Sequence, residues 1–163
     1  MIVEIEKRAD GSSLLRCTRP DGSVTWQKTK SRHGAYFPLH DLIHFAVETV
    51  LEMKSGFFGL IVQGWEIEDT TGKGARGPIP TEAKTVELIV GLLQSESASG
   101  QEWSSAQFME QAALFAASRN EDVTIEVTDE ELRAIRARMR DLHSRWGAVP
   151  MGRALSLDFP LGS

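Results

Sequence analysis

The sequence predicts an α+β fold, with a mainly antiparallel five-stranded sheet and four or five helices packed on one face. Three observations carry this. Apolar and polar residues alternate with period two near both ends of the chain. Helical stripes spaced three and four residues apart fill the middle. Each predicted strand also keeps one polar side, through Glu4, Glu6, Arg16, Thr25, Thr124, Glu126, Ser156 and Asp158, so helices cover a single face.

Residues 2–28 read as a three-stranded meander. Val3 and Ile5, Leu15 and Cys17, and Val24 and Trp26 are the expected inward positions. Asp10-Gly11 and Pro20-Asp21-Gly22 supply the turns. The basic stretch from Gln27 to Tyr36 reads as a solvated loop, being too small for a nucleic-acid footprint.

A helix then runs from about Phe37 to Lys54, with Gly56 as its stop. Phe57 to Trp65 reads as a short helix folded back on it. Residues 66–80 form a long loop containing Gly72-Lys73-Gly74-Ala75-Arg76-Gly77. That is a literal G-x-G-x-x-G, but Pro78 and Pro80 forbid the helix that a dinucleotide-binding turn must open.

Thr81 opens a helix to about Ser95, apolar around most of its girth, with Lys84 and Glu87 on a narrow polar side. Such a helix is central to a core or covered by a second subunit, so a homo-oligomer through residues 81–95 is one expectation. Ser104 to Gln107 is a capping box opening a helix with Phe108, Ala112 and Phe115 inward, ended at Asn120. Val123 to Val127 alternates and reads as the fourth strand. Thr128 to Glu131 is a second capping box, before the stripe Leu132, Ile135, Met139, Leu142 and Trp146. Ala154 to Phe159 is the fifth strand.

With 163 residues and no divided composition, residues 1–163 are expected to be one globular domain. The chain is 41% hydrophobic and 25% charged, with net charge −5. An acidic balance argues against a nucleic-acid partner. Apolar runs are too short for a membrane span. The charged N-terminal residues do not read as a signal peptide, and Cys17 is the only cysteine. A cytoplasmic protein is the expectation.

Reactive side chains concentrate in Phe37 to Glu48. On a helix His40 and His44 share a face, at the seam between apolar and polar arcs, and can chelate one ion. His40-Asp41-Leu42-Ile43-His44 resembles the H-E-x-x-H of zinc peptidases, with Asp in the Glu position. The resemblance covers five residues and implies zinc on His40 and His44 with Asp41 as base, although Asp is one methylene shorter than that role requires. Glu48 lies about 12 Å from His40 along the axis at 1.5 Å per residue, so it is placed to orient His44. His33, or one of Glu66, Glu68 and Asp69, would complete the metal set. Zinc suits these ligands, and nickel or manganese would also fit.

No G-x-S-x-G elbow and no P-loop occurs. Two function classes follow. The first is a non-catalytic binding or regulatory domain for a small-molecule ligand or a second copy. The alternative is a metal-dependent, zinc-type hydrolase with metal ligands His33, His40 and His44 and with Asp41 or Glu48 as catalytic carboxylate.

Overall fold

A computed structural model describes residues 1–74 and 76–160. Three strands open the chain, β1 (Ile2–Lys7), β2 (Ser13–Thr18) and β3 (Val24–Thr29). Five helices follow, α1 (Phe37–Val50), α2 (Phe57–Val62), α3 (Thr81–Ser99), α4 (Ser105–Ser118) and α5 (Asp129–Ala148), before β4 (Arg153–Asp158). The sheet is antiparallel throughout, in the order β3-β2-β1-β4.

The sheet therefore has four strands among the described residues, where five were expected. The missing one is residues 123–127. Val123, Ile125 and Val127 are buried and Thr124 and Glu126 are exposed, yet the segment joins no ladder. Alternation records which side chains meet the core; it says nothing about whether a neighbouring backbone is present to pair with.

One face of the sheet is dry. Val3, Ile5, Leu15, Cys17, Leu155 and Leu157 are buried there, and Arg16, Ser156 and Asp158 lie on the other side. In β3 the expected faces are exchanged. Register pairs Cys17 with Thr25 and Arg16 with Trp26, so Thr25 is buried and Trp26 is 63% exposed. The Thr25 hydroxyl has an inward task, accepting the Ile67 N–H at 3.2 Å.

Cys17 is fully buried, and burial pushes its thiol up to about 12, with the Asp41 carboxylate adding to the shift. A raised thiol stays protonated, hence unreactive, throughout the neutral range. At pH 8 a thiol-specific chromogenic disulfide is therefore expected to leave the native protein unlabelled and to label one thiol per chain in denaturant. Rapid labelling of the native protein would contradict this burial.

α1 crosses the dry face as the central helix. Leu42 to Glu48 are all buried, because α3 and α5 flank α1 and the sheet lies beneath it. Pro38 sits in its first turn, where its missing N–H costs nothing. The helix stops earlier than expected. Glu52 takes a left-handed conformation (φ 52°), and the Met53 N–H closes on the Glu48 carbonyl at 3.0 Å. Gly56 instead begins α2 in an extended conformation. A Cβ there would strike the Glu48 carboxyl, so the site has no room for a side chain.

Both expected capping boxes are present, at Ser104/Gln107 and Thr128/Glu131. α3 runs four residues further than expected, to a left-handed Gly100 (φ 69°). Its apolar residues, which admitted either a core position or cover by a second subunit, are buried at Ala83, Val86, Leu88, Ile89, Val90, Leu92 and Leu93. In α4 the inward positions are Phe108, Ala112 and Ala116; Phe115, expected inward, is 39% exposed. The α5 stripe is buried as spaced, and it joins the sheet, α1 and α3 in one continuous apolar cluster. Among the described residues, no helix is long and apolar enough to cross a membrane.

Candidate metal centre

His40 and His44 project from one side of α1 toward α3, as their i,i+4 spacing requires. Their Nε2 atoms face each other at 3.2 Å. Glu87 of α3 joins them, its Oε1 lying 3.4 Å from His44 Nε2. Ligand atoms of His40, His44 and Glu87 all lie within 4.8 Å of one another.

These separations have a simple chemical reading. Zinc–nitrogen bonds of about 2.0–2.1 Å at tetrahedral angles place neighbouring ligand atoms about 3.3 Å apart. The His40–His44 and His44–Glu87 edges match that spacing. Glu87 has a half-exposed side chain, so its carboxylate is free to adjust toward an ion.

Charge state suits the same reading. Burial, and then the neighbouring His44, pushes His40 down to about 4. Burial also lowers His44, against the opposing pull of Glu87. Both rings are thus neutral at neutral pH and keep a nitrogen lone pair for coordination. Both Nδ1 atoms are buried without a hydrogen-bond partner. His44 Nδ1 stands 3.6 Å from Glu48 Oε1, just beyond hydrogen-bond distance. When Nε2 binds an ion, the proton resides on Nδ1, and a carboxylate at that side is the usual second partner.

Glu48 itself is 1% exposed, and its two oxygens accept the N–H groups of Phe58 (3.2 Å) and Gly59 (3.0 Å) at the start of α2. Burial pushes this acid up to about 8 even against those hydrogen bonds. Asp41 is also pushed up to about 8, by burial first and then by the charge of Glu87. Aromatic rings wall the pair: Tyr36 stacks on His40 with centroids 5.8 Å apart, and Phe57 lies 5.4 Å from His44. The Tyr36 hydroxyl accepts from the Gln94 amide of α3 at 3.1 Å.

The remaining expected ligands lie elsewhere. His33 is exposed in a 3-10 turn (Ser31–His33), where it accepts from Arg32 Nε at 3.0 Å and lies edge-on to Phe37. Glu66 pairs with Arg19 at 3.2 Å, and Asp69 with Arg76 at 3.9 Å. Glu68 precedes the 3-10 turn Asp69–Thr71. None of these belongs to the His40 group. The acid that does belong, Glu87, went unrecognised as a ligand from sequence. Its signal was its isolation, as one of few charges on a helix otherwise wrapped in apolar residues.

Compared with known proteins, the chain matches no family model, no curated protein and no solved structure.

Proposed function

We propose that this chain is a metal-binding domain that holds one divalent transition ion, of the zinc type, through His40, His44 and Glu87. The carrying observation is the facing pair of neutral imidazoles at 3.2 Å, with Glu87 closing a third corner. The two orphaned Nδ1 atoms support the same reading, because ion binding at Nε2 settles both rings in one tautomer. Glu48 acts in it as a positioning residue behind His44. The ion serves a binding or regulatory role, since Glu48 is turned away from the open side and engaged by α2.

A second reading is a metal-dependent hydrolase. It draws on two observations: two histidines and one glutamate leave a coordination position for water, and the raised acid of Asp41 feels the Glu87 charge. In that reading Asp41 is the base.

Metal analysis of protein purified without a histidine tag and reconstituted with zinc tests the proposal. One ion per chain is expected. Glu87→Gln, at a half-exposed position, is expected to weaken zinc binding at least about tenfold with an unchanged circular dichroism spectrum. His44→Ala is expected to abolish uptake. Unaltered uptake in both variants, or none in the parent, would sink the metal reading and leave His40 and His44 as an N–H···N hydrogen-bonded pair.

A further inference from the structure

The proposed ion has three protein ligands, and the surroundings determine where a fourth must approach. Phe57 covers the His44 side, Tyr36 covers His40, and Glu48 occupies the space behind His44. The side left is α3. Successive residues of a helix turn by 100°, so Gln94, Glu87, Gly91 and Lys84 fall on one narrow strip of its surface. Around the rest of α3, Ala83, Val86, Leu88, Ile89, Val90, Leu92, Leu93 and Glu96 are all buried.

Gly91 is the centre of that strip. It lies one turn beyond Glu87 and one turn before Gln94, level with the gap between the ligand carboxylate and the Tyr36–Gln94 pair. Glycine is the least favoured helix-interior residue apart from proline. No close packing explains it here: a Cβ built at Gly91 meets nothing within 4 Å. The position is open space beside the centre, and any longer side chain would project along the strip.

Charge then selects what enters. A divalent ion with two neutral imidazoles and one carboxylate keeps one positive charge. Lys84 and Glu87 line one cleft of about 380 Å³, with Arg119 and a further acid, Glu121, and Gly91 lies one turn beyond its lining residues Glu87 and Leu88. We propose that the open coordination position faces this strip and takes a small anion, of carboxylate or azide size, which enters across Gly91 and is drawn by Lys84. This rests on the metal reading above.

Cobalt-loaded protein titrated with azide tests it, read by visible d–d absorption. Saturable spectral change is expected in the parent chain and in Gly91→Ala. Gly91→Leu is expected to hold one cobalt per chain while its spectrum stays unchanged with azide; Gly91→Gln repeats the block with a polar side chain should leucine disturb loading. Lys84→Ala is expected to weaken azide several-fold and to flatten its salt dependence. Cobalt bound at full stoichiometry with no azide response in the parent chain overturns the proposal. So does an undiminished response in both bulky Gly91 variants. Failure of cobalt to bind at all would instead remove the metal reading first.

Discussion

Replacing Glu48 with alanine is expected to lower the unfolding free energy by about 3 kcal/mol, because it orphans buried backbone N–H groups and leaves a cavity. Glu48 is 1% exposed and takes the Phe58 and Gly59 amides. α2 is only six residues long, so those groups are a large part of what starts it. No hydroxyl or side-chain cap of its own replaces them. Glu48→Gln keeps one acceptor oxygen and the side-chain volume but turns its NH2 toward the second backbone N–H. It is therefore expected to cost less than the alanine change while still destabilising α2. Chemical denaturation of both variants at pH 6.5 decides the matter; equal losses would show that the oxygen acceptors are not what anchors α2.

Arg136→Ala is expected to be the costliest single charge deletion in the chain, at about 3–5 kcal/mol, because its partner stays buried without compensation. Arg136 is 8% exposed and meets both oxygens of Glu96. It also donates to the Trp103 carbonyl at 2.7 Å. Glu96 in turn accepts the Trp103 N–H, so one ion pair ties α3, the α3–α4 connection and α5 together. Removing both charges, as Arg136→Met with Glu96→Leu, is expected to recover most of the loss. The comparison is a double-mutant cycle in denaturant midpoints, and simple additivity of the two single losses would refute coupling.

How far the sequence foretold this molecule depends on which physical signal each element carries. Helix starts are local, so Ser104 and Thr128 announced α4 and α5 through their own side chains. Burial alternation is also local, and Val123, Ile125 and Val127 are buried as spaced, but pairing is not local, and their strand does not form. Trp26 and Thr25 show the reverse limit: hydrophobicity favoured tryptophan inside, while the register with Arg16 and Cys17 turned it out. The end of α1 was misplaced because Glu52, not a glycine, takes the left-handed turn. In the candidate site, His40 and His44 were legible from spacing alone. Glu87 lies more than forty positions away, and only the packing of α3 on α1 brings it to them.

β1 lies inside the sheet, between the strand that follows it and the strand at the far end of the described chain. The Met1 ammonium donates to the Phe159 carbonyl, and the Phe159 N–H returns a bond to Met1, across 158 positions. During synthesis, then, β1 is made before the other described strands and waits for its second neighbour until α5 has been made. Until then its outer edge offers unpaired amides and carbonyls to any strand it meets, including β1 of another nascent chain. Closing so long a loop also places this sheet among the slower-forming topologies. The interval before β4 arrives is when this protein is most exposed to aggregation.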